Sequence, residues 1–421
     1  MKRKIAARKF VVAMADAEAS DARRFGPKAA RLAALGHAGL PTPGGFCVDA
    51  AAYRAQLAHL GLQQTARAVF ASEDRPAARR HALDMKLGLM RSEIAPAVRE
   101  QLAGVFDSVV RSSALVEDRE GASFAGQFQS YLGLESEQDF LTAVRACWAA
   151  LWSTRALRYM AAHDVDPADT AMALIVQPLV RPRAAGGGLS RTTEGDMVVN
   201  AATGPGSAVA QGEVVPDRYV LERSGALKES SAGKGYHSLT CRHGRRAFSR
   251  LLAAPSVDAA QLAELGLLMK KAEALLQGPV EIEWALDDSG IKLLQARPLR
   301  VCESTAFDEA WRQHPRLHGH PGGVGWGTGR ARIVNCECEL ERVAPGEVLV
   351  TTVAGPALAD VFPRVAGIVA ELGGSTSHLA SLARERGVPM VLGAPQATRR
   401  IPDGAMVAVD GVAGVVRWMQ A

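Results

Sequence analysis

The sequence predicts a multidomain chain of mixed α/β and α+β class, and three observations predict it. At 421 residues, 48% of them hydrophobic and with mean hydropathy near zero, the chain fits about two or three domains rather than one. Helical patterns alternate with short apolar segments through most of its length. Its last part changes to short alternating strands rich in glycine, of which Glu347 to Thr351 and Met406 to Val409 are the clearest.

Taken in order, Phe10 to Met14 reads as a short strand, and Lys28 to Leu35 as a helix following the turn Gly26-Pro27. Pro41-Thr42-Pro43-Gly44-Gly45 is a turn into Phe46-Cys47-Val48. Ala50 to about Leu102 is helical and alanine-rich, interrupted by Pro76 and Pro96. Val109 to Ser113 is a strand that opens into a loop, and Ala171 to Pro178 is a buried strand. The three glycines 186 to 188 read as a mobile loop. Ser256 to Leu276 is helical, with Leu262, Leu265, Leu268 and Met269 on one face. Glu281 to Leu286 and Ile291 to Arg297 have the strand period and form a hairpin across Asp287-Asp288-Ser289-Gly290, which brings Glu281, Glu283, Gln295 and Arg297 together. Residues 301–321 are a polar connector, and the glycines at 322, 323, 325, 327 and 329 form a turn beyond it.

Composition narrows the function classes. The net charge of +5 is modest, aromatics are only 5%, and basic residues are mixed with acidic ones except at the N-terminus and around Arg242 to Arg246, so a nucleic-acid partner is not expected. No run of eighteen apolar residues occurs and the start lacks a secretory pattern, so the expectation is a cytoplasmic protein without membrane association. The six cysteines, at 47, 147, 241, 302, 336 and 338, show neither a zinc pattern nor a disulfide framework. Neither a Walker motif nor a dinucleotide fingerprint is present.

The chemistry centres on Gly373-Gly374-Ser375-Thr376-Ser377-His378, followed by a helix that closes at Gly387-Val388-Pro389. First-turn N–H groups lack intrahelical partners and the dipole favours negative charge there, so a phosphoryl group on His378 would be stabilised. A histidine that merely follows an N-cap is the plain alternative. The stretch from about Gly322 to Trp418, with Gly367-Ile368-Val369, Val388-Pro389-Met390-Val391-Leu392-Gly393 and Asp410-Gly411, resembles the phosphohistidine domain of the phosphoenolpyruvate-utilising enzymes. That family includes phosphoenolpyruvate synthase, pyruvate phosphate dikinase and rifampin phosphotransferase. The resemblance implies a small swivelling β/α domain with His378 as the covalent carrier.

Upstream, Arg111-Ser112-Ser113-Ala114-Leu115-Val116-Glu117-Asp118 and Gly121-Ala122-Ser123-Phe124-Ala125-Gly126-Gln127 combine flexible glycines with hydroxyl donors suited to phosphate. They resemble the phosphate-covering loop of the same family's ATP-grasp domain, as do Lys28-Ala29-Ala30, Gly39 to Phe46, Leu151-Trp152-Ser153, Gly212 to Tyr219 and Gln295-Ala296-Arg297-Pro298. The implied organisation is an ATP-grasp domain over 1–300, with subdomains about 1–185 and 186–300, a hinge at 301–321 and the phosphohistidine domain over 322–421. The resemblance makes Lys28, Arg111, Gly121, Ser123, Gly126, Gln127, Glu283, Gln295 and Arg297 contacts to ATP, with Glu283 and Gln295 at a magnesium ion. Glu281 is a second candidate ligand. Alternatives stand beside three of these. Lys28 could be a solvated helix residue, Arg111 could pair with Glu117 or Asp118, and Glu283 could sit exposed on a sheet face. Arg119, Arg155 and Arg158 read as packing and salt-bridge residues.

The sequence departs from the family at Pro27, where glycine is usual, at Gln129, at Ser207, and across Arg183 to Asn200. The implied reaction is attack of neutral His378 on the β-phosphorus of ATP, release of AMP, loss of the γ-phosphate and transfer of the remaining group. The roughly twenty residues between Leu299 and Gly322 are too few for a domain. The expected acceptor is therefore a small molecule, a group on a separate partner protein, or water. A phosphohistidine carrier or regulatory module and a degenerate ATP-binding protein are the other classes considered.

Overall fold

The computed structural model describes residues 9–72, 74–117, 124, 127–128, 130–233, 256–301, 311, 313–352 and 354–419. Two compact units divide the chain, Met1–Val180 and Arg181–Ala421. Among the described residues both are mixed α/β, as the composition and patterning predict.

In the first unit the strands are β1 (Val11–Ala13), β2 (Phe46–Val48), β3 (Val109–Ala114), β4 (Ser130–Leu132) and β5 (Met172–Gln177). They form an antiparallel sheet ordered β1-β2-β5-β3-β4. The central strand β5 is buried at every position, so a continuous apolar run rather than an alternating one marks it. The helices are α1 (Ala22–His37), α2 (Ala50–His59), α3 (Gln63–Ala71), α4 (Arg75–Arg91), α5 (Pro96–Ala103), α6 (Glu137–Ala150) and α7 (Thr154–Ala161). The helical stretch breaks just before Pro76 and Pro96, as expected, and each proline lies in the first turn of the next helix, α4 or α5, where a missing N–H costs no helical bond. Asp49, Asp74, Ser136 and Ser153 cap α2, α4, α6 and α7 with side-chain acceptors.

Helix α1 bends at Gly26, whose φ of +78° lies in the left-handed region, and resumes at Pro27. A Cβ at Gly26 would meet the carbonyl and hydroxyl oxygens of Ser113 at 2.5 Å. That hydroxyl donates to Phe25 O at 2.7 Å and accepts from Ala29 N at 3.1 Å, bridging the bend.

The second unit holds two sheets. The first comprises β6 (Ala184–Leu189), β7 (Met197–Thr203), β8 (Asp217–Leu221), β9 (Leu227–Ser231), β10 (Val280–Asp287) and β11 (Gly290–Pro298), antiparallel in the order β11-β10-β6-β7-β8-β9. Helix α8 (Ser207–Ala210) opens at Ser207, and α9 (Ala259–Leu276) starts with a capping box between Asp258 and Gln261. The three glycines 186 to 188 are not a mobile loop. They are the buried middle of β6, because both faces of that strand are covered at close range: a Cβ at Gly188 would meet Met269 Sδ of α9 at 2.6 Å, and one at Gly187 would meet Thr376 Cβ at 2.5 Å.

The second sheet comprises β12 (Arg316–His318), β13 (His320–Pro321), β14 (Trp326–Val334), β15 (Val348–Thr351), β16 (Gly367–Ala370), β17 (Met390–Leu392), β18 (Met406–Asp410) and β19 (Val415–Trp418). Its order is β12-β19-β18-β14-β15-β16-β17-β13, with β14 to β17 parallel and the remaining pairs antiparallel. Val348, Val350, Val369, Val391, Val407 and Val409 fill its core with α11 (Ala397–Arg400) against it, while α10 (His378–Arg386) leads back from β16 to β17. Gly327 and Gly329, expected in a turn, are strand residues of β14 and lie against Ala366 O and Gly346 O. Residues 316–321 supply both edge strands. Cys336 and Cys338 are paired as a disulfide across a single intervening residue, a lone close pair rather than a framework. Cys47 and Cys147 are buried thiols pushed up by burial, Cys47 to about 12. Cys241, Cys302 and Arg242 to Arg246 lie outside the described residues.

Ser113→Ala removes both bonds at the α1 bend. It is expected to lower stability by about 1–3 kcal/mol, read as a lower urea midpoint with an unchanged m-value.

Candidate active site

In the first unit, Arg111 and Ser113 are two residues apart on β3 and share a face of the sheet. Ser113 grips the bend of α1 immediately before Lys28, which places the start of this helix against β3, and Lys28 and Arg111 are both half-buried. The Pro27 departure therefore leaves the helix start intact, since the donor that matters, Ala29 N, is satisfied by Ser113. Gln127 is buried and its N–H donates to Phe124 O at 3.1 Å. Phe124 has a φ of +54° and is held by the Tyr159 ring at 4.5 Å between centroids, so this end of the loop is anchored on α7. Gly121, Ser123 and Gly126 lie outside the described residues, as do Asp118, Arg119 and Gln129.

In the second unit the expected hairpin is present. Strands β10 and β11 pair Glu281 with Arg297 and Glu283 with Gln295, then shift register at a bulge between Glu283 and Trp284. Ile282 faces α9, because it shares with Met269 the space beyond Gly188, so Glu281 and Glu283 face the other side. That side receives the segment carrying His378.

Three features of the sequence bring the segment in so closely. Gly373 has a φ of +93° and its N–H donates to Val214 O at 3.1 Å, while a Cβ at Gly374 would meet Pro216 Cγ at 2.7 Å. Thr376 lies over Gly187, the register partner of both Glu283 and Asn200. Ser377 caps α10, its hydroxyl accepting from Ala380 N at 3.3 Å, which leaves His378 half-buried as the first helical residue. The helix ends as expected at Gly387, with φ +68°.

Both oxygens of Glu281 are engaged within the fold. Arg297 Nη2 donates to Oε1 at 3.0 Å, and Ser381 Oγ and Arg384 Nη2 donate to Oε2 at 2.6 and 2.9 Å. Arg297 also donates to Ser381 Oγ at 2.6 Å, and Arg384 to Ser375 O at 2.7 Å. Burial pushes the Glu281 carboxyl up, but the charges of Arg297 and Arg384 and the Ser381 bond outweigh it and hold it below the usual carboxylate range. Glu283 is half-buried and Gln295 buried. One carboxylate and one amide oxygen fit a magnesium ion that keeps waters and takes phosphate oxygens for its other positions. Among the described residues no group of three or more His, Cys, Asp or Glu could hold a metal, and no helix is long and apolar enough to cross a membrane.

Asn200, Ser381 and Arg384 are site residues that sequence reasoning did not assign. The contacts of Asn200 with Thr376 and of Ser381 and Arg384 with Glu281 span 100 or more positions of the chain, so no local spacing reports them. The glycine triplet was the available signal, read as a loop when it marks close packing.

His320, beside Gly393 at the edge of this loop, is buried next to the Arg218 charge. Burial chiefly, with that charge, lowers its pKa to about 3. An imidazole buried neutral contributes stability above its unfolded pKa of about 6.5, lost as pH falls toward the folded value at about 1.4 kcal/mol per pH unit. His320→Leu is expected to flatten that part of the curve in urea titrations between pH 6.5 and 4.

Residues 22–316 match the family described as pyruvate phosphate dikinase, AMP/ATP-binding domain, and residues 343–414 match PEP-utilising enzyme, mobile domain. The chain is 29% identical to a probable phosphoenolpyruvate synthase of Methanothermobacter thermautotrophicus, over 97% of this chain and 63% of that protein. It is 30% identical to phosphoenolpyruvate synthase of Aeropyrum pernix, over 93% and 56%, and 27% identical to that of Pseudomonas aeruginosa, over 96% and 57%. The chain thus spans a little over half the length of the curated relatives it matches.

Proposed function

This chain belongs to the phosphoenolpyruvate-utilising enzyme family, and from that premise we propose that it is an ATP-dependent phosphotransferase of dikinase type with a phosphohistidine intermediate. In this reading residues 1–300 are an ATP-grasp domain that binds ATP, residues 301–321 are a hinge, and residues 322–421 are a swivelling carrier of the phosphoryl group. The observation that carries it is the position of His378. It opens a capped helix whose preceding residues rest on the sheet face that bears Glu283 and Gln295.

The neutral His378 nitrogen attacks the β-phosphorus of ATP, the bond from that phosphorus to the oxygen bridging the α-phosphate breaks, and AMP leaves with that oxygen. Water then removes the γ-phosphate and leaves phosphohistidine. The first-turn N–H groups of α10 stabilise the anion on the ring. Lys28 and Arg111 bind phosphate oxygens with Gln127 and the glycine loop at Gly121, Ser123 and Gly126, and Arg297 contacts ATP near the transferred phosphates. Glu283 and Gln295 would hold magnesium, which when bound neutralises phosphate charge. The acceptor is a small molecule or a group held by a partner protein. The relatives' name makes pyruvate the first acceptor to assay. We place the reaction in the cytoplasm.

Incubation with β-labelled and γ-labelled ATP tests the reading. The β label is expected on the wild-type protein and absent from His378→Ala, with AMP formation lost as well. AMP released at an unchanged rate by His378→Ala would refute it. Glu283→Ala is expected to slow labelling by about 100-fold or more while leaving the fold intact, as circular dichroism would report.

A further inference from the structure

We propose that Asn200, Gly187 and Glu281 form a polar seat on the six-stranded sheet that positions His378, with Glu281 as a charge-dependent latch. This rests on the reading of His378 as the phosphate-accepting residue and goes beyond it by assigning what holds the residue in place. Two anchors lie on either side of His378 in sequence. Before it, with the Asn200 amide oriented to meet the converging donors, Oδ1 accepts from Ser375 N at 3.1 Å and from Thr376 N and Oγ1 at 3.2 Å each. Asn200 is fully buried, so those bonds are made without competition from water. After it, Ser381 and Arg384 bind Glu281. Between the anchors Gly187 supplies a floor with no side chain, where a Cβ would stand 2.5 Å from Thr376 Cβ.

The latch has a specific electrostatic form. Glu281 is the shared acceptor of two arginines, Arg297 on the same sheet and Arg384 on the helix of His378, and all three are nearly fully buried. Neutralising Glu281 leaves two buried guanidinium groups facing each other across the contact, so attraction becomes repulsion and α10 is driven off the hairpin. Neutralising Arg384 instead leaves the Glu281–Arg297 pair intact. The two changes are therefore unequal, and the second relieves the first. If Glu281 and Arg384 acted independently of each other, the two changes would give additive damage.

Peptide-resolved hydrogen exchange on the full chain reads the seat without ATP, through the amides of Ser375 and Thr376. Glu281→Gln is expected to speed their exchange about tenfold or more, Arg384→Gln less, and the double variant less than Glu281→Gln alone. Asn200→Ala, which leaves the latch untouched, is expected to speed the same amides and so keeps the test open if Glu281→Gln fails to fold. In single-turnover labelling from ATP the same order is expected in the rate, with the ATP concentration for half-saturation unchanged in Asn200→Ala. A double variant no better than Glu281→Gln, or unchanged exchange in Asn200→Ala, would overturn the seat. Absent labelling in the wild type would refute the proposed reaction, while the exchange measurement still decides the seat.

Discussion

The contact between the loop 373–377 and the backbone of the six-stranded sheet depends on glycine on both sides. Gly187 leaves room for Thr376, and Gly374 leaves room for Pro216. At these separations a single methyl group on either surface forces the two apart, and interiors packed at crystal-like density absorb such a displacement poorly. The bonds from Ser375 and Thr376 to Asn200 presuppose this approach.

Charge is distributed to match. The buried cluster of Glu281, Arg297 and Arg384 has one anion for two cations. Burying it is costly in desolvation, which the direct ion pairs and the Ser381 hydroxyl offset. Such clusters add little net stability compared with apolar packing. They do define one arrangement sharply, since a shift of an ångström leaves a charge unpaired. That suits a surface that holds His378 in one orientation, as the proposed reaction requires.

The first unit uses a smaller version of the same device. Ser113 substitutes for the backbone at the bend of α1, so the proline at 27 does not disturb the helix that presents Lys28. Phe124, held in a left-handed conformation against Tyr159, fixes the described end of the loop after β3.

Much was legible in the sequence because it is local. The hairpin of Glu281 to Arg297 follows from period-two alternation and a turn, and the α10 boundaries follow from Ser377 and Gly387. The nomination of His378 followed from one contiguous motif. What local pattern does not carry is which side chains meet across the fold. Glycines 186 to 188 have the composition of a flexible linker, and only the packing of α9 on one face and Thr376 on the other shows them to be a strand. Glu281 and Glu283 are indistinguishable by alternation, and tertiary structure alone separated them by giving the first to Arg297, Ser381 and Arg384. The sequence by itself determined most of the elements, because propensity, capping and period act over a few residues, and one contiguous motif nominated His378. The tertiary structure decided what holds the segments flanking His378, through contacts of Asn200 with Thr376 and of Glu281 with Ser381 and Arg384, which are 100 or more positions apart in the chain.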